Sequence, residues 1–239
     1  MARTQADTSS ILSQQLLLSV AEQLKIPLLQ IARQAEHQLL TNTNVAAETI
    51  QSTADSAIQL IDNYVMGVRL SLDHARLAIE PVSISSVLYD AGQQLDSMAK
   101  SYGVDLQLNI AGRFGPVMAH RQGLQAALVS LGASLIEALP ALETSQLRLQ
   151  LATHRCRYGV VAGLYADIPQ LSNETLQQGR RLQSKARQPL ANLTQSSGAG
   201  VFVADAILQA MQLELKVSRH HRLYGLGTVL QPSSQLQLV

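Results

Sequence analysis

At 239 residues the chain has room for one large domain or two ordinary ones, with a sizeable buried core. A formal charge of +1 with 15% charged residues gives no overall pull towards nucleic acid or an anionic membrane surface. The lack of Trp, with only two Phe and six Tyr, argues against a base-stacking surface.

The single cysteine, Cys156, excludes an intrachain disulfide framework and a multi-cysteine metal site. No apolar run approaches the ~20 residues that span a bilayer, and the first residues lack the apolar core of a signal peptide. A soluble, cytoplasmic protein is expected. No Walker loop, HExxH, GxSxG or CxxC occurs, so the commoner enzyme classes are excluded.

Taken in order, residues 1–8 are polar, with Asp7, Ser9 or Ser10 able to cap a helix. Residues ~10–40 read as a helix, with Leu16, Val20, Leu24, Leu28 and Ile31 recurring every three or four positions. Pro27 removes one helical hydrogen bond and crowds the preceding turn, and the apolar spacing continues on both sides, so a kinked helix is expected. Thr41 to Asn44 form a polar break. A second helix follows, with Ile50, Ala54, Ala57, Ile61, Val65, Val68, Leu72 and Ala75 as its apolar stripe. A hairpin of two such helices cannot cover its own stripes, which predicts a homodimeric four-helix bundle.

Pro81 closes this region and the pattern changes. Residues 84–102 read as a helix ending at Gly103, and Val104 to Asn109 alternate as a strand with one buried face. A short extended piece covers Pro116 to Met118. A helix spans 120–139, with Leu124, Leu128, Leu131 and Leu135 inward. Leu147 to Leu151 and Gly159 to Tyr165 pair through a basic turn near His154 to Arg157. Residues ~172–197 are polar. Then come a helix at Val201 to Met211, a strand at Leu213 to Val217, and closing strands at Thr228 to Leu230 and Leu236 to Leu238. Helices among hairpin-linked strands imply an α/β sandwich with helices on one face.

Several stretches resemble, in the right order, the core of sensor histidine kinases. Leu24-Lys25-Ile26-Pro27-Leu28 looks like the end of the H-box. Glu80-Pro81-Val82-Ser83-Ile84 looks like the junction that follows the helical hairpin, and Tyr102-Gly103-Val104-Asp105-Leu106 like the next helix-to-strand step. Residues 119–138 stand where the N-box helix falls. Ser197-Gly198-Ala199-Gly200-Val201 resembles the second glycine box, and Gly225-Leu226-Gly227-Thr228-Val229 the penultimate strand. The resemblance covers roughly residues 10–239. It implies an α+β chain: a dimerisation and phosphotransfer hairpin at 1–78 forming a dimeric four-helix bundle, then a GHKL ATPase-like α/β sandwich at 79–239.

Carried over residue by residue, the resemblance puts Glu22 at the phosphoacceptor histidine and Gln23 at its neighbouring acid. A glutamate near its usual pKa is a poor, already ionised nucleophile. Without an acid beside it an imidazole would also lose its base. Ser130 and Ser134, or Glu137 one turn on, stand where asparagines hold Mg²⁺ and phosphate; serine is shorter and a poorer ligand. Asp167 stands at the adenine-reading aspartate, but Pro169 and Leu171 replace the two glycines after it. Gly198 and Gly200 keep a helix N-terminus suited to anions.

These departures predict a chain that is no enzyme, binds no cofactor or metal, and works as a catalytically inactive adaptor. The resemblance implies a homodimer that docks a response regulator or a partner kinase through Gln30, Arg33, His37, Asn63 and Arg69. Two rival readings exist. One is a phosphotransfer protein or divergent kinase using His37 or His74. The other is a DNA-associated regulatory module using Arg180, Arg181, Lys185 and Arg187, although the composition disfavours nucleic acid. Adjacent His220 and His221, within Arg219 to Arg222 between two strands, would point to opposite faces and so make no metal site. Cys156 is expected to be structural.

Overall fold

The computed structural model describes residues 24, 27, 28, 30, 31, 33, 34, 45–73, 76–110, 112–141, 147–168 and 198–233. The first seven of these are all helical, Pro27 among them. The expected features at Glu22, Gln23, His37, His74, the 41–44 turn, the 172–197 stretch and the 236–238 strand lie outside the described residues.

The first continuous element is α1, Val45–Asp73, a helix of 29 residues. The extended segment after it leads to β1, Glu80–Val82, which pairs antiparallel with β3, Val117–Ala119. Pro81 is tolerated because this is a short edge ladder of three residues a side. Helix α2, Ile84–Ser101, starts where the Ser83 hydroxyl accepts from the Ser86 amide. It ends with Gly103 at φ 68°, a left-handed value that glycine takes without strain. Strand β2 is Asp105–Ile110. Helix α3, Arg121–Ala138, is capped by an imidazole: His120 Nδ1 accepts from the Gly123 amide at 3.0 Å. It runs into a 3₁₀ turn at Leu139–Ala141. Strands β4, Arg148–Cys156, and β5, Gly159–Ala166, form a hairpin; α4, Gly198–Ala210, precedes a second hairpin of β6, Lys216–His220, and β7, Leu223–Leu230.

The main sheet has the order β2-β4-β5-β7-β6, with β2 parallel to β4 and every other pair antiparallel. One face carries Leu149, Leu151, Ala162, Leu164, Leu226 and Leu230, all fully buried beneath α2, α3 and α4. Helix α3 is the centre of that layer. Fourteen of its eighteen residues are buried, which is why its sequence reads as apolar almost all round. A Cβ at Gly132 would strike Leu95 of α2 and Leu164 of β5, so this glycine sets how closely three elements approach. This mixed sheet with helices on one face is the expected α+β sandwich.

The opposite face of the sheet is not flat. Tyr165 there is fully buried, and Asn109 of one edge strand lies 3.3 Å from His220 of the other edge strand. The sheet therefore curls over its outer face. Gly225 makes the curl possible, since a Cβ there would meet the Leu164 carbonyl oxygen.

Three strand assignments need correction. The alternation from Val104 to Asn109 does not bury one face: Leu108 remains 43% exposed, because β2 is an edge and Leu108 covers only Gly92 of α2. The ladder of β4 runs through His154 to Cys156, leaving only Arg157 and Tyr158 as the turn. Leu213 and Leu215 precede the ladder of β6. They fold under the end of α4, where the Leu213 amide donates to the Leu208 carbonyl, and β6 begins at Lys216 and includes His220. The turn that follows uses His221 at φ 54°, with no glycine or proline to announce it.

Helix α1 is anchored on the sandwich by Ala57, Asn63, Tyr64 and Gly67, all buried. A Cβ at Gly67 would lie 2.8 Å from the Val203 side chain of α4. Tyr64 sits near Glu137 of α3, and burial first, with that carboxylate second, pushes its hydroxyl well above the ordinary tyrosine range. The expected stripe is split: Ala57 is buried against the sandwich, while other members and the neighbouring Ile58 are turned from it. Ile58 is 56% and Val65 43% exposed, while Ile61 and Val68 are half-buried. The helix thus has two apolar faces, of which the sandwich covers one.

Candidate functional site

The expected cleft lies between α3 and α4, above the sheet. Helix α3 brings Ser130 and Ser134 to one face, four residues apart, and both are buried at 1% and 4% exposure. Helix α4 approaches them with Gly200. A Cβ there would run into the Ser134 hydroxyl and the Ser130 carbonyl oxygen. The second glycine box therefore serves contact between helices in this structure. The Ser130 hydroxyl has no hydrogen-bond partner among the described residues. Elsewhere between these helices and the sheet, away from Ser130, Ser134 and Gly200, lies a cavity of about 10 Å³ lined by Leu124, Ala127, Leu128, Leu131, Leu208 and neighbours. That is room for about one water, whereas organic ligands occupy roughly 300–1,000 Å³.

Asp167 is exposed just past the end of β5, and the next residue, Ile168, turns back into the core. Pro169 and Leu171 lie outside the described residues. Helix α4 does begin at Gly198, three residues earlier than the apolar pattern announced, which brings Gly198 and Gly200 into its first turn. Ser130, Ser134 and Gly200 are thus brought together; Asp167 stays apart on the strand end, in no contact that joins it to them.

The expected docking residues divide. Arg33 and Arg69 are exposed, and Gln30 donates from Nε2 to the Ser101 hydroxyl at 3.3 Å, which ties the first helical segment to the end of α2. Asn63 is a correction: it is 1% exposed on the face of α1 turned to the sandwich, where its Oδ1 accepts from Gln59. The outward stripe of α1 is instead Asp55, Ile58, Asp62, Val65 and Arg69, at steps of three and four.

Two polar groupings escaped the sequence reading. On the curled outer face His154 and His220 stack at 5.1 Å between ring centroids, and His221 meets His220 edge-on at 4.3 Å. The buried Tyr165 hydroxyl donates to Ser218 at 3.2 Å, and its ring packs against His154 and His220. Burial, then the neighbouring imidazoles, lowers both the His154 and the His220 pKa below the ordinary histidine value. Strand alternation places 150, 152 and 154 on one face, so His154 was legible as an outer-face residue; its meeting with His220 needed the curl. Among the described residues no group of His, Cys, Asp or Glu is placed to hold a metal ion. The second grouping is Tyr64, Tyr102 and Glu137 at the junction of α1, α2 and α3, where burial and then Glu137 push the Tyr102 hydroxyl up to about 12.

No family model matches the sequence, and no curated protein is similar to it. Solved structures are. The histidine kinase AdeS of Acinetobacter baumannii superposes with a TM-score of 0.50 at 12% identity, over 89% of this chain and 98% of that one. Full-length ShkA in complex with AMPPNP gives a TM-score of 0.54 at 14% identity, over 93% of this chain and 47% of that one. The histidine kinase ThkA in complex with the response regulator protein TrrA gives 0.48 at 10% identity, over 97% of this chain and 67% of that one. The fold is that of the histidine-kinase ATPase type, with a mixed five-stranded sheet under helices. The expectation that the chain is no enzyme is overturned here: the solved structures that share its fold include a histidine kinase, an enzyme, and nothing in the comparisons speaks for inactivity. No described helix is long and apolar enough to cross a membrane.

Proposed function

We propose that this chain is a two-component signalling protein that dimerises through the apolar stripe of its long helices and docks a response regulator or a histidine kinase at charged positions of those helices outside that stripe, among them Arg33 and Arg69. Residues 1–78 form the dimerisation unit and 79–239 the sandwich that anchors it, working together as a cytoplasmic adaptor. One observation carries the reading. Helix α1 is fastened by Tyr64 and Gly67 to a sandwich of the histidine-kinase type, yet turns a second stripe, Ile58, Ile61, Val65 and Val68, away from it. An apolar stripe on a helix already packed elsewhere favours a second helix layer.

Support for the partner comes from the fold, from the exposed Arg69 beside that stripe, and from Arg33, exposed on the first helical segment. These cations suit an acidic docking surface and would raise the association rate more than the affinity. The test is calorimetric titration with a phosphorylatable receiver domain from the same genome, alongside an Arg33→Glu, Arg69→Glu variant. Micromolar binding that the variant weakens at least tenfold is expected, and that loss corresponds to about 1.4 kcal/mol. Equal binding by the variant, or none to any receiver shown to be active, would overturn the docking role.

A further inference from the structure

The tip of the β4–β5 hairpin carries a pocket that the signalling role does not use. It has a volume of about 490 Å³ and is lined by Phe114, Arg155, Cys156, Arg157, Tyr158 and Pro232, with the backbone of Gly115 and Gly159. We propose that this pocket binds a small organic phosphate, a phosphate monoester carrying an apolar or aromatic group.

The charges come first. Arg155 and Arg157 line the pocket and are both exposed, and among the described residues no carboxylate lies within ion-pair distance of either. Two guanidinium groups two positions apart at one turn repel one another, and an anion relieves that repulsion.

Their order comes next. The Arg155 guanidinium lies over the Phe114 ring at 5.8 Å and donates to the Arg113 carbonyl oxygen at 3.2 Å. The Arg157 guanidinium lies over the Tyr158 ring at 5.3 Å. Each group is held by one face and keeps donor edges free, so less side-chain entropy is lost when a ligand binds. The backbone below is fixed as well. A Cβ at Gly159 would strike the Leu230 carbonyl oxygen, so the hairpin tip is pressed against the end of β7.

The ligand class follows from stoichiometry and shape. One guanidinium fork saturates a carboxylate, whereas a phosphate monoester offers enough oxygens for two or three forks at once. The pocket is a concavity of small-molecule size rather than a groove along a strand, which disfavours an extended peptide. The Phe114 and Tyr158 rings and Pro232 supply the apolar wall for the organic part.

The experiment is amide NMR of the full chain, titrated with phenyl phosphate, inorganic phosphate and a hexaglutamate peptide. Wild-type protein is expected to show saturable shifts at Arg157, Tyr158 and Gly159 with phenyl phosphate, bound more tightly than either other probe. The Arg155→Gln, Arg157→Gln variant should lose about tenfold or more in affinity. The Arg155→Lys, Arg157→Lys variant, which keeps charge but not the fork, should also bind more weakly. Unchanged binding in the glutamine variant, absence of saturation at millimolar phenyl phosphate, or equal binding of inorganic phosphate would each overturn the proposal. Tighter binding of hexaglutamate would overturn it in favour of an acidic protein partner. All substituted side chains are exposed, so the wild-type pattern of distant amides verifies the fold of each variant.

Discussion

Replacing Gly200 by alanine reads out whether α3 and α4 touch. The added methyl group would meet the Ser134 hydroxyl and, more importantly, the Ser130 carbonyl oxygen. The hydroxyl can rotate away, but the carbonyl belongs to the middle of α3, a helix buried on nearly every side. Relief therefore requires the two helices to separate, opening gaps among Leu124, Leu128 and Leu208. Overpacking of this kind costs about 1–3 kcal/mol, and the backbone obstacle puts Gly200→Ala near the top of that range. For a chain of this size that is a fall in Tm of roughly 6–12 °C, measured by circular dichroism or differential scanning fluorimetry. If the helices stood apart around an open cleft, the same substitution would remove a helical glycine and stabilise by about 0.5–1 kcal/mol. The two arrangements differ in sign, so an unchanged or raised Tm refutes the closed contact.

Two further outcomes follow from the same geometry. His154 and His220 have folded-state pKa values below their unfolded values, so the neutral rings fit the folded protein and protonation favours unfolding. The stability they contribute is present above the unfolded value, near pH 6.5, and is lost as pH falls from there through the lowered folded values. Urea midpoints should drop between pH 7.5 and 5.5 and drop less in a His154→Gln, His220→Gln variant; an equal drop in both would remove the histidines as the cause. At the surface, Arg121 bridges Asp90 at 2.8 Å and also donates to Ser86, joining α3 to α2 with both charged ends partly exposed. Asp90→Asn should cost no more than about 1 kcal/mol, and less at high salt, whereas a larger loss would mean the pair is better shielded than it looks.

What the sequence revealed followed from local periodicity. The spacing of Leu124, Leu128, Leu131 and Leu135 defined α3, and alternation plus Gly103 placed β2 after α2, because each element's own repeat leaves its period in the chain. What it concealed depended on distance. Asn63 looks like a surface residue, and the resemblance places it at a docking surface, yet it lies on the anchored face of α1, buried among Tyr64 and Gly67. The strand at 216–220 was displaced because Leu213 and Leu215 alternate for a different reason, packing beneath α4. His154 and His220 lie 66 positions apart and meet only because the sheet curls. The closed contact at Gly200 was invisible as well: a GxG before a helix is compatible with anion binding and with close packing, and only the partner helix decides.

In the proposed assembly α1 holds two copies together through Ile58, Ile61, Val65 and Val68. Sedimentation equilibrium on the full chain at micromolar concentration, with an Ile58→Asp, Val65→Asp variant beside it, tests it most directly. The wild type is expected at twice the 25.8 kDa chain mass and the variant as a folded monomer. A wild type that sediments as a monomer, or a variant that remains dimeric, would contradict it.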